Sequence, residues 1–177
     1  MIEPRLAATL PRPARAADPG PLDDRFYDLV ETRFVRLVRD NPVLATALGL
    51  HRDDDLFGDG SAEAILAELA AEHAHLAEVE GLDPAGLSAE AAFERDLEVH
   101  NVRRAIFETD GLRLWERRSF ALDTVGDGLF LLFARDHAQL PERLDAISGR
   151  LEAIATYLEE AKTRARVPQV RVLASSR

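Results

Sequence analysis

The chain has 177 residues, 46% of them hydrophobic, and a formal net charge of −10 from 22 basic and 32 acidic residues. A chain of that length and apolar content supports a packed core and excludes global disorder. The absence of cysteine excludes disulfide scaffolds, thiolate zinc sites, iron–sulfur clusters and cysteine nucleophiles.

Charge divides the chain into three parts. Residues 1–21 carry +1, residues 22–161 carry −16 and residues 162–177 carry +5. A body this acidic repels phosphate backbones, so nucleic acid is not expected as a partner. No apolar run is long enough to cross a membrane. The Pro-, Ala- and Arg-rich residues 1–21 lack the apolar stretch of a secretory signal and read as a disordered lead-in. A cytoplasmic location follows as the expectation.

Residues 22–166 read as one helical domain. The first helix is expected over Asp23–Asp40, with Phe26, Leu29, Val30, Phe34, Leu37 and Val38 on one face. Asn41 is placed to cap a short helix that has Pro42 at its first turn and stops at Gly49. An acidic loop, His51–Gly60, comes next and reads as a solvated turn. Ser61 caps a third helix carrying Ile65, Leu66, Leu69, His73, Leu76 and Val79. Gly81–Gly86 forms a turn around Pro84. Ser88 caps a fourth helix, anchored by Phe93, Leu97, Ile106 and Phe107 and ended by Asp110-Gly111.

Residues 112–123 carry no clear pattern. A helix is expected over Thr124–His137, weakened at its start by Gly126 and Gly128. Pro141 opens the last helix, which runs to Arg166. Leu144, Ile147, Leu151, Ile154, Leu158 and Ala161 recur there in steps of three and four, as in the core helix of a bundle. Lys162, Arg164 and Arg166 suit a helix C-terminus. Residues 167–177 read as an extended or disordered tail. The class is all-α, with five to six helices in a bundle-like array.

Candidate chemistry is sparse. Two histidines four residues apart share a helix face and can reach one metal. None of His51, His73, His75, His100 and His137 has a partner at that spacing. Glu72-x-x-His75 is one half of a di-iron pattern whose second half is missing. It reads as a solvated helix face. Asp96 and His100 have the spacing of a surface pair.

The Asp53–Asp59 loop resembles a calcium loop in part. However, Phe57 occupies position 5 and Ala64 stands where the bidentate Glu belongs. Gly126-Asp127-Gly128 lacks the third glycine of a dinucleotide fingerprint. Trp115, near Arg113, Arg117 and Arg118, reads as a core anchor, with a cation–π contact as the alternative. No catalytic, cofactor-binding or metal-ligating residue is therefore assigned in this chain.

The order of motifs resembles a known family. Pro42, Ala45, Thr46 and Gly49 match a Pro-x-x-Ala-Thr-x-x-Gly pattern, followed by an acidic turn and Asp59-x-Ser61. Arg150-Leu151-x-x-Ile154, Leu158-x-x-Ala161 and Val167-Pro168-Gln169-Val170 follow in order. Together they are similar to the N-terminal signature of the bacterial proteins called domain of unknown function 885. Ala155 stands where that family often has Pro.

The resemblance implies a larger all-helical, zincin-like fold of the metallopeptidase kind. Its zinc site, His-Glu-x-x-His, would lie in a later part of the chain, and its substrate would be peptide-like. None of those positions exists here. Leu173–Arg177 reads unlike the end of a domain. The expectation is thus the N-terminal helical portion of a metallopeptidase-like (carboxypeptidase-like) protein, inactive alone. The alternative is a stand-alone module that binds a partner through the Leu144–Ala161 face. The sequence leaves the oligomeric state open.

Overall fold

A computed structural model describes residues 18–117 and 120–164. The expected lead-in lies almost wholly outside these residues, and the expected tail and Arg166 lie entirely outside them. The described residues are all-α. The helices are α1 (Asp23–Asp40), α2 (Pro42–Ala47), α3 (Ala62–Glu80), α4 (Ala89–Ile106), the single turn α5 (Leu114–Arg117), α6 (Ala121–Ala134) and α7 (Leu140–Lys162). A 3-10 turn at Pro84–Gly86 precedes α4, and a π turn at Phe107–Leu112 follows it.

Local chemistry sets most of the boundaries. Ser61 and Ser88 accept backbone N–H bonds from Ala64 and Ala91, which caps α3 and α4. Pro42 stands in the first turn of α2, although the Asn41 side chain makes no cap bond to that helix. Gly49 follows α2 at φ +83°, a left-handed conformation that a β-carbon disfavours.

The chain divides into two compact units. The first comprises residues up to Leu37 together with Ala67–Leu112. Its core gathers Phe26 and Leu29 of α1, Val79 of α3 and Ala91 of α4, with Tyr27, Val30, Leu82, Leu87 and Val99 around them. Asp23 ties the start of α1 to the start of α4. Its carboxylate accepts from the backbone N–H of Ser88 at 2.9 Å and of Gly20 at 3.1 Å. Burial opposes ionisation, yet these donors hold the Asp23 carboxyl below the usual carboxylate range.

The second unit comprises Val38–Leu66 and the residues from Arg113 onward. Its core gathers Phe57, Ala121, Tyr157 and Ala161, flanked by Val43, Val125, Ala153, Ile154 and Leu158. α6 packs on both α7 and α2.

Several expected faces are rotated. On α3 the buried stripe is Glu72, His75 and Val79, while Leu66 is exposed. On α7 it is Arg150, Tyr157 and Ala161, while Leu144 and Leu151 are exposed. On α4 the buried residues are Ala91 and Val102, and the expected anchors Phe93, Leu97 and Phe107 lie outside the core. Counting apolar residues misplaced these faces because charged side chains take buried positions on α3 and α7. Trp115 is half-buried, and Arg113 lies 5.6 Å from its ring centre, so the cation–π contact forms. Asp96 is exposed and pairs with Arg95.

Candidate functional site

Two polar clusters are buried, one in each unit. In the first unit, Arg33 of α1 grips Glu72 of α3 through Nε, at 2.9 and 3.1 Å, and Nη2, at 2.8 Å. Arg33 Nη1 reaches Glu98 of α4 at 3.3 Å. Arg36 adds bonds to Glu68 and Glu72. His75 Nε2 lies 2.8 Å from Glu98 Oε1.

Glu72 and His75 are 4% and 6% exposed, which corrects the reading of Glu72-x-x-His75 as a solvated face. The two residues are not half of a metal site either, because guanidinium groups already occupy the Glu72 oxygens. Burial raises the Glu68 carboxyl, with Arg36 opposing. Burial also acts on Glu98, but His75 and Arg33 hold it below its ordinary value. Two guanidinium groups offset most of the charge of the three carboxylates, as burial of an ionic network requires.

The second unit holds a different arrangement. Asp54, in the loop after α2, is 6% exposed, and Phe57 beside it is equally buried. The loop is therefore solvated only in part: Arg52, Asp55, Leu56 and Asp59 are exposed, while Asp54 and Phe57 are buried. Phe57 enters the core against Tyr157, with ring centres 5.1 Å apart, and draws Asp54 inward with it.

Asp54 Oδ1 accepts from the Thr46 hydroxyl at 2.6 Å. That hydroxyl accepts in turn from Arg150 Nη2 at 3.0 Å. Arg150 is completely buried. It also donates to Gly128 O at 2.9 Å and approaches Asp53 O at 3.4 Å. Its guanidinium lies 5.6 Å from the Phe57 ring centre, and its Nε has no partner. Burial pushes the Arg150 guanidinium down, while the Asp54 and Asp55 carboxylates oppose that shift. A β-carbon at position 128 would stand 3.0 Å from Phe57 and 3.1 Å from Val43. The glycine that weakens α6 locally thus permits its close approach to this cluster.

The other carboxylate oxygen faces two histidines. Asp54 Oδ2 lies 2.8 Å from His51 Nδ1 and 3.3 Å from His137 Nε2. The imidazoles are stacked, 3.8 Å between centres and 7° between planes. His137 Nδ1 lies 3.3 Å from Arg135 O, and Arg135 donates to Ala47 O at 2.8 Å. Arg143 also donates to Arg135 O, at 2.9 Å. The segment after α6 is thereby held against the end of α2.

No catalytic or metal residue was assigned from sequence, yet the fold brings His51, Asp54 and His137 together. Among the described residues they are the one group of His, Asp or Glu side chains with metal-ligand spacing. His51-x-x-Asp54 is visible as a local pair. His137 lies in a distant segment, and no spacing rule reaches it. The later His-Glu-x-x-His that the resemblance implies is a separate matter, since no residues of this chain fit it.

Known proteins place the chain as follows. Residues 42–175 match a family described as bacterial protein of unknown function, DUF885. No curated protein matches. A solved structure from Shewanella oneidensis, described as "a putative lipoprotein of unknown function", is similar at a TM-score of 0.70 and 18% identity. The similarity covers 81% of this chain and 26% of that one, so the chain spans about a quarter of its neighbour's length. At that identity the likeness concerns the fold.

Proposed function

This chain belongs to the bacterial DUF885 family, and from that premise we propose that it is the N-terminal helical portion of a larger metallopeptidase-like protein. Its role in the whole would be to wall a channel for a peptide-like substrate. The catalytic zinc would sit on His-Glu-x-x-His elsewhere in the fold, so these residues alone would not cleave peptides.

The observation that carries this reading is the apolar surface of α6 and α7. Leu122, Phe130 and Phe133 of α6 are 70%, 67% and 78% exposed, and Leu140, Leu144 and Leu151 of α7 are half exposed or more. Soluble monomers rarely leave so many large apolar side chains to water on neighbouring elements. The neighbour's fourfold greater length is consistent with further structure that covers them.

The alternative module would dock a partner through the Leu144–Ala161 face. That face is largely spent within its own unit, because Ile154, Leu158 and Ala161 pack on the Phe57–Tyr157 core. Only Leu144 and Leu151 of it are among the exposed large apolar residues.

The test is the hydrodynamic and thermal behaviour of the isolated chain. The expected result is self-association, binding of an apolar dye and no peptidase activity with added zinc. A monodisperse chain that melts cooperatively and binds no dye favours the module. Zinc-dependent peptidase activity of the isolated chain overturns both readings. No helix among the described residues is long and apolar enough to cross a membrane.

A further inference from the structure

We propose that His51, Asp54 and His137 form a binding site for a divalent transition-metal ion of the zinc and cobalt type. The site would clamp the loop after α2 to the segment after α6 within the second unit. It is distinct from the His-Glu-x-x-His site expected elsewhere in the family fold.

Donor spacing is the first support. A four-coordinate ion with bonds of about 2.0–2.2 Å to nitrogen and oxygen needs donors roughly 3.3 Å apart. His51 Nδ1 and His137 Nε2 lie 2.8 and 3.3 Å from one Asp54 oxygen, and all three donor atoms fall within 4.8 Å of one another.

Ring orientation is the second support. His137 Nδ1 faces the Arg135 carbonyl, which can only accept, so the ring is turned with Nε2 toward the Asp54 carboxylate. Orientation of the second ring nitrogen by a carbonyl is a recurrent feature of histidine ligands.

The third support lies around Asp54. Its Oδ1 is held by Thr46, so the carboxylate is oriented by its neighbours before any ion arrives. Arg150 directs Nη1 and Nη2 to Gly128, Thr46 and Asp53, leaving Oδ2 to the histidines. The carboxylates of Asp54 and Asp55 offset the charge of Arg150.

Two imidazoles and one carboxylate select a borderline ion over calcium or magnesium, which prefer six or more oxygen ligands. Three protein donors leave a fourth position for water, and His51, 28% exposed at its side chain, provides the way in. Imidazole lone pairs lie in the ring plane, so the 7° stack must open as the ion enters.

Titration calorimetry of the full chain with zinc chloride tests the site, with cobalt(II) absorption as a second probe. The expected result is one ion per chain, a four-coordinate cobalt spectrum and a zinc-dependent rise in melting temperature. His137→Ala should weaken binding at least tenfold, and His100→Ala should leave it unchanged. No stoichiometric binding, or equal binding by His137→Ala, overturns the proposal. Should His137→Ala fail to fold, imidazole nitrogen resonances of the unaltered chain decide the question. Zinc must move those of both His51 and His137, and unmoved resonances refute the site.

Discussion

The two buried clusters use the same side chains to opposite ends. In the first unit, Arg33 and Arg36 cover the oxygens of Glu72, and His75 meets a Glu98 already paired with Arg33. In the second unit the buried arginine reaches the carboxylate only through the Thr46 hydroxyl. Arg150 supports Thr46, Gly128 and Asp53, while Asp54 is shared by two imidazoles. Where guanidinium groups saturate a carboxylate, the cluster serves packing alone. Where imidazoles face it, two ring nitrogens converge on one carboxylate oxygen. Histidine and carboxylate at hydrogen-bond distance thus mean different things according to what the arginines are doing.

Arg150→Leu breaks the comparison most severely. It removes a donor from the Gly128 carbonyl and the Thr46 hydroxyl and a buried counter-charge from Asp54, and should cost about 3–5 kcal/mol. Denaturant melts measure this, and a loss below 1 kcal/mol would show that Arg150 is not the keystone of its unit. Glu72→Gln should cost about 2 kcal/mol, less than a fully isolated pair, because Glu68 and Glu98 still face the two arginines. It should leave zinc binding intact. If Glu72→Gln abolishes zinc binding, the assignment of separate roles to the two clusters fails.

Asp23→Asn should cost about 1 kcal/mol through weaker acceptance from Ser88 and Gly20. The effect carries a pH signature. The Asp23 carboxyl is depressed in the folded chain. Its stabilisation is therefore complete above the unfolded carboxylate value of about 3.9 and fades as pH falls through the lower, folded value. The wild-type and Asp23→Asn melting curves should accordingly converge at strongly acidic pH, and a constant gap would refute that assignment. Phe133→Ser should change stability by less than about 0.5 kcal/mol, because the ring is exposed. It should nonetheless reduce self-association, as sedimentation would show.

The sequence was legible wherever structure is decided locally. Asp23–Asp40 forms the expected helix, Ser61 and Ser88 cap where their hydroxyls predict, and Gly49 adopts positive φ after α2. The all-α class and the family follow from the same local patterns and their order. The inward faces of α3, α4 and α7 were not legible in that way. Apolar periodicity assumes that polar side chains seek water, and Glu72, His75 and Arg150 do not.

The opening arithmetic also changes meaning. A surplus of acid over base counts carboxylates without placing them, and Asp23, Asp54 and Glu72 are buried. Each is held by donors that a charge count cannot show.

What the sequence determined by itself was helix placement, because caps, prolines and glycines act within a few residues of themselves. Only the tertiary structure decided which charges are buried and that His137 meets His51 and Asp54. Pairing a buried charge depends on distance in space, and residues far apart along the chain carry no local trace of the contact they will make.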